Sequence, residues 1–195
     1  MRWYVSDLHY FHKNIIHLQD RPFKSVEEMN EALIENWNKY VAKGDVVYVI
    51  GDFSFGKYDE TKALVEKLNG VKVLIRGNHD SRFTTGTFIK LGFSDVYDHL
   101  LLKISGVGKV VLSHYPYHPP WYKQLWERIR RPNYTRWYTQ FRLNDYGMPL
   151  IHGHNHSGPN NFYTTRKGTK CVNVAWDIAK RPLSEDEIRK YLLNS

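Results

Sequence analysis

Nine residues of this chain could ligate a metal or move a proton, and all nine stand just after short apolar runs: Asp7, His9, Asp52, Asn78, His79, Asp80, His114, His154 and His156. Together they offer carboxylate oxygen, amide oxygen and imidazole nitrogen, with no thiolate. That donor set suits manganese, iron or zinc in five- or six-coordinate sites better than a structural tetrahedral zinc, which favours cysteine. So many ligands call for two ions. The single cysteine, Cys171, has no partner for a disulfide or a zinc ribbon and reads as a small buried strand residue.

The runs that must position these residues follow one grammar. W-Y-V-S-D-L-H, V-V-Y-V-I-G-D, V-K-V-L-I-R-G-N-H-D, K-V-V-L-S-H and P-L-I-H-G-H-N-H each read as a strand that stops and hands over to polar residues. Between the first three lie helical patterns. One opens at Ser25, spaced from Glu28 as in a capping box, with Met29, Leu33, Ile34 and Trp37 on one face. The other spans Asp59 to Leu68. This strand-helix alternation predicts a parallel sheet with right-handed crossovers, and ligands of such sheets sit beyond the carboxyl ends of the strands. A short helix is expected over Thr85 to Leu91. After it, Leu100 to Ile104 and Lys109 to Ser113 read as a hairpin, and the second half reads as more antiparallel. Phe162 to Thr165 and Lys170 to Val174 give two more strands, and Ser184 with Glu187 caps a closing helix.

Asp7-x-His9, Gly51-Asp52, Gly77-Asn78-His79-Asp80, His114 and Gly153-His154-x-His156, in that order, resemble the complete signature of the calcineurin-like metallophosphoesterases. The opening S-D-L-H-Y-F-H-K-N-I-I, then R-P-F and G-D-F-S-F-G, is similar to a compact bacterial and phage branch of that family, and N-V-A-W-D-I resembles that branch's last strand. For the fold, the resemblance implies two mixed β-sheets packed as a sandwich flanked by helices, in four α/β/β/α layers. For the site, it implies one metal held by Asp7, His9, Asp52 and His156 and a second by Asp52, Asn78, His114 and His154, with Asp52 as the bridge. The expected cofactors are two divalent ions, manganese first, with iron, zinc, nickel or cobalt as alternatives. The implied reaction is hydrolysis of a phosphate mono- or diester by a metal-bridging hydroxide. His79 would protonate or stabilise the leaving oxygen, and Asp80 would orient His79.

Length and charge fit that reading. The chain has 195 residues, ordinary globular composition and a net charge of +8, which favours anionic partners: nucleic acid, nucleotides, phosphorylated small molecules or merely the anionic background of the cell, among which charge alone does not choose. A single domain is expected. No run approaches the ~18 apolar residues that cross a bilayer, no signal-peptide pattern opens the chain, and the cytoplasm is the expected compartment. Nothing in the sequence sets an oligomeric state. Residues 115–149 differ in texture, carrying 10 of the 29 aromatics and six Lys or Arg against two acidic residues. They read as an insert, helical around Trp121 to Arg130, that either packs as a cap or supplies stacking and phosphate contacts through Arg130 and Arg131. His12 and Lys13, at a helix start, are the other candidate phosphate contacts. His17, His99 and His118 read as ordinary polar residues, His152 as a packed neighbour, Arg76 as a strand-edge ion-pair partner, and Asn14 and Phe53 as loop-shaping residues. A second reading is an adaptor that binds nucleic acid or protein on the same fold without hydrolysis. The intact ligand set argues against it.

Overall fold

The computed structural model describes residues 1–118, 139–158 and 161–194. In chain order its strands are β1 (Arg2–Val5), β2 (Val46–Ile50), β3 (Val71–Ile75), β4 (Phe93–Tyr97), β5 (His99–Ile104), β6 (Gly108–Ser113), β7 (Leu150–His152), β8 (Phe162–Thr164), β9 (Lys170–Asn173) and β10 (Leu183–Ser184). The helices are α1 (Lys13–Leu18), α2 (Val26–Tyr40), α3 (Tyr58–Lys67), α4 (Thr85–Leu91), α5 (Trp176–Ala179) and α6 (Glu185–Leu193). One sheet runs β10-β1-β2-β3-β4 and the other β5-β6-β7-β9-β8. Both are mixed. In the first, β1 to β4 are parallel and β10 is antiparallel to β1. In the second, β6, β7 and β9 are parallel, with β5 and β8 antiparallel at the edges.

Strand periodicity explains how one sheet serves two cores. Trp3 and Val5, Val47 and Val49, and Leu74 point to a cluster under the helices, packed against Met29, Leu33 and Trp37 of α2 and Leu64 and Val65 of α3. Tyr4, Tyr48 and Ile50, and Val73 and Ile75 point the other way, against Ile104, Val110, Leu112, Ile151 and Val172 of the second sheet. The central strands are therefore nearly all apolar because both faces are covered. On the second sheet's outer side, Val111, Leu150 and Cys171 pack with Tyr117, Leu143 and Met148. Two mixed sheets packed as a sandwich with helices on their flanks are the architecture that the sequence resemblance implied. Among the described residues, no helix is long and apolar enough to cross a membrane.

Several local expectations are refined. The Ser25 hydroxyl accepts from the Glu28 amide, but the Glu28 carboxylate accepts from Lys24 rather than Ser25, so the reciprocal box slips by one residue. At α6 the box is complete: Ser184 and Glu187 each accept from the other's amide. Strand β4 was not anticipated. It is an edge strand whose F-S-D-V-Y pattern is mostly exposed and whose pairing shifts register between Lys72 and Val73. The second half is more antiparallel than the first, as expected, with β5 and β8 antiparallel at its edges, but β7 lies parallel between β6 and β9. In N-V-A-W-D-I the strand stops at Asn173, and Trp176–Ala179 forms a helical turn. Phe53 is a fully buried core residue rather than a loop-shaping one. The helix expected around Trp121 to Arg130, with Arg130 and Arg131, lies outside the described residues.

The α6 cap gives a direct stability test. Ser184→Ala removes the acceptor for the Glu187 amide and is expected to lower the unfolding free energy by about 1 kcal/mol, read from urea denaturation with an unchanged m-value.

Candidate metal centre

The carboxyl ends of β1, β2 and β3 in one sheet and of β6 and β7 in the other meet at one end of the sandwich. They are tied there by Asp7 N–H to Gly51 O, His9 N–H to Asp52 O, Ser6 N–H to Val174 O and Gly153 N–H to His114 O. A parallel bridge between Ser6 and Ala175 joins the strand ends further. These bonds hold the loops that carry the candidate ligands in unusual shapes. Asp7, His9, Asp52 and His154 all have left-handed backbones, with φ of 57°, 53°, 53° and 68°. L-residues seldom adopt that region, and clusters of such residues mark sites where the surroundings over-determine the chain.

Packing is equally tight. A Cβ on Gly77 would collide with the Asp52 carboxylate, and one on Gly153 with the Ser6 hydroxyl and the Asp7 carboxylate. Both positions must be glycine for the loops to close on these acids.

Each carboxylate has one oxygen anchored and one presented. Asp7 Oδ2 is held by the Ser6 hydroxyl at 2.6 Å and the His154 amide at 2.9 Å. Its Oδ1 is buried without a hydrogen-bond partner, 3.3 Å from His156 Nε2 and 3.8 Å from His9 Nε2. Asp52 Oδ1 accepts from the His79 amide at 2.9 Å. Its Oδ2 lies 3.7 Å from His9 Nε2 and 3.5 Å from His114 Nε2. The imidazoles are oriented to match. His114 Nδ1 donates to the Ile50 carbonyl at 2.9 Å, which turns Nε2 toward Asn78 Oδ1 at 3.2 Å and Asp52 Oδ2. His156 Nδ1 donates to Asp177 at 2.6 Å, which turns Nε2 toward Asp7. Both ring nitrogens of His9 are buried without a hydrogen-bond partner among the described residues.

Acceptors thus face acceptors, an arrangement that only positive charge can reconcile. The titration behaviour says the same. Burial acts to lower His114, but Asp52 and Asp7 outweigh it and raise its pKa. Burial acts to raise Asp52 and Asp7, yet His114 and the neighbouring imidazoles hold both below the ordinary carboxylate range. These residues therefore fit a cation site on their own geometry. Asp7, His9 and His156 form one compact donor group, and Asp7, Asp52 and His114 another. Asp7 is shared between the two groups, while Asp52 Oδ2 lies between His9 and His114.

Residues 3–158 match the family model for calcineurin-like phosphoesterase. The chain belongs to the calcineurin-like phosphoesterase family. An uncharacterized protein of Methanocaldococcus jannaschii is 33% identical over 96% of this chain and 89% of its own length. The Gene 66 protein of Mycobacterium phage L5 is 31% identical over 95% of this chain and 91% of its own length. A crystal structure of an Aquifex aeolicus protein of unknown function is 28% identical, covers 97% of this chain and 98% of that one, and superposes with a TM-score of 0.65. This chain thus spans most of the length of these archaeal, phage and bacterial proteins.

Other residues singled out from the sequence sit as follows. The His154 ring packs beside His114, centroids 5.1 Å apart, and burial lowers its pKa to about 3. His79 is 41% exposed, with Nε2 3.9 Å from Asp52 Oδ2. The expectation that Asp80 orients the His79 ring is corrected. Asp80 is buried and accepts from the amides of Gly77, Asp52 and Phe53, so it staples the Asn78–His79 loop to the Asp52 loop through the backbone. His12 lies at the site, its ring stacked on Phe55 at 4.0 Å and its pKa lowered to about 4, chiefly by burial. Lys13 is exposed at the start of α1. His152 is a packed neighbour: buried, donating to Gly153 O and meeting the Tyr163 hydroxyl at 2.7 Å. Arg76 bonds Phe83 O and Thr85 Oγ1 and pairs with Asp98 across 3.9 Å.

Three contributors escaped sequence reasoning: Asp177, Arg21 and Phe55. Arg21 and Asp177 lie inside R-P-F and N-V-A-W-D-I, stretches read for the resemblance alone with no role assigned to either residue, and Asp177 lies beyond the matched family span. Phe55 stood in plain view in G-D-F-S-F-G but offers no ligating atom.

Gly153→Ala should push the Asp7 carboxylate off its anchor. Metal affinity is expected to fall about 10-fold or more, measured by plasma mass spectrometry of the protein dialysed against limiting Mn²⁺.

Proposed function

We propose that this chain is a dinuclear metal-dependent phosphoesterase that hydrolyses a phosphate mono- or diester with a nucleotide-like leaving group. The observation that carries the reading is the pair of buried carboxylates, each with one oxygen anchored and the other aimed at imidazole nitrogens, in a chain of this family. Asp7, His9, Asp52 and His156 would hold one dication, and Asp52, Asn78, His114 and His154 the second, with Asp52 common to both. Manganese is the first candidate. Such ions, when bound, supply Lewis-acid charge for the phosphoryl oxygens and make hydroxide available at neutral pH.

The chain's own residues do the rest. His79 offers its ring N–H to the leaving oxygen, and its exposed edge leaves room for that group. Asp80 keeps the His79 loop and the Asp52 loop in register through their amides. Two aromatic surfaces flank the centre and suit a flat leaving group. One is Phe55 with His12, beside His9 and His79. The other is Tyr115, which packs on His154 and carries Phe141 stacked at 5.7 Å and 54% exposed.

Metal-stripped protein reconstituted with Mn²⁺ is expected to release p-nitrophenol from p-nitrophenyl phosphate or bis(p-nitrophenyl) phosphate, and Asp52→Asn to abolish release. Silence with Mn, Fe, Co, Ni and Zn alike would favour the adaptor reading. His79→Ala should lower kcat by about 10²–10⁴-fold with metal content unchanged. Phe141→Ala should raise KM for a nucleotide ester about 5-fold or more, with kcat and p-nitrophenyl ester turnover largely unchanged.

A further inference from the structure

We propose that Asp177 and Arg21 are positioning residues for the metal centre, Asp177 by fixing the tautomer and aim of His156 and Arg21 by fixing Asp177 together with the backbone that carries Asp7. Four segments meet here. Asp177 Oδ2 lies 2.6 Å from His156 Nδ1. A carboxylate only accepts, so Nδ1 must carry the proton, and Nε2 keeps its lone pair for the side facing Asp7 Oδ1. From behind, the Arg21 guanidinium grips Asp177 with both Nε and Nη2 at 2.8 Å. Its remaining donors reach the carbonyls of Asp7 and Leu8, each at 2.8 Å. Those carbonyls belong to the turn in which Asp7 is left-handed.

Arg21 and Asp177 are both buried at the side chain, and Arg21 lies over the Trp176 ring at 5.0 Å. A guanidinium keeps its charge at any working pH and offers donors in a rigid fork. It therefore serves as a fixed brace whose geometry does not change with pH. Carboxylates behind metal-bound histidines set ring orientation and basicity in this way, and their loss commonly costs 10–100-fold in metal affinity. Asp177 lies outside residues 3–158, the span of the family match, while Arg21 lies within it, so the pair joins the matched span to residues beyond it.

The inference rests on the metal reading above, and the test separates the two. Mn²⁺ binding is titrated calorimetrically into metal-stripped full-length protein. Asp177→Asn is expected to weaken binding about 10–100-fold, and in a His156→Ala background to add no further loss. Because Asp177→Asn leaves the Arg21 charge buried against a neutral partner, the double variant R21Q/D177N is measured in parallel. It lacks both charges and should still bind Mn²⁺ weakly. If D177N does not fold, the double variant carries the same comparison. Parent-like affinity in either variant, or an undiminished extra loss on His156→Ala, overturns the positioning role alone. A parent protein that binds no Mn²⁺ overturns the metal reading and this inference with it.

Discussion

The structure depends on a buried electrostatic demand at the seam of two sheets. Asp7 Oδ1 and Asp52 Oδ2 face the nitrogens of His9, His114 and His156 across 3.3–3.8 Å, with no hydrogen bond from the protein to Asp7 Oδ1 or to either nitrogen of His9 among the described residues. Buried polar atoms of this kind are ordinarily paired. Here the surroundings pair the opposite edges: donors go to the far oxygen of each carboxylate, and acceptors take the proton on the far nitrogen of His114 and His156. Ser6, the His154 amide, the His79 amide, Ile50 O and Asp177 each anchor a back edge so that the front edges converge. Convergence of lone pairs is a cost unless a cation answers it.

Holding that geometry takes a scaffold with rigid, closely spaced strand ends. Left-handed backbones at Asp7, His9, Asp52 and His154 each cost on the order of 1–3 kcal/mol. They persist because β1 and β2 are in parallel register, with amides and carbonyls continuing to bond past the strand ends at Asp7, Gly51, His9 and Asp52. Beneath them the alternating core residues of β1, β2 and β3 are covered on both faces, so the strands have no freedom to slide. Gly77 and Gly153 then let the adjoining loops approach the acids to a distance that no side chain allows. The site is thus an outcome of packing in both layers rather than of the loops alone.

Much of the fold was legible in the residue order because each candidate ligand follows an apolar, β-branched run, and such runs announce both a buried strand and the place where it stops. That is why β1, β2, β3, β6 and β7 could be read from the runs that end at Asp7, Asp52, Asn78, His114 and His154. What escaped was of another kind. β4 is a half-exposed edge whose charged positions hide its period, and β10 is two residues long. Arg21 and Asp177 are 156 positions apart, and no local pattern links an arginine after a helical turn to an aspartate beyond the last long strand. Asp80 makes a different contact from the one expected, since sequence adjacency to His79 suggested the ring while the fold turned the acid toward three amides.

The central claim is that the converging lone pairs at this seam exist to hold divalent metal. Crystals grown with Mn²⁺ and measured for anomalous scattering at a wavelength where manganese scatters strongly test it most directly. The account predicts difference peaks within coordination distance of Asp7 Oδ1, His9 and His156 Nε2, and of Asp52 Oδ2 and His114 Nε2. Manganese found only at surface carboxylates, or absent at saturating concentration with the seam unchanged, would contradict it.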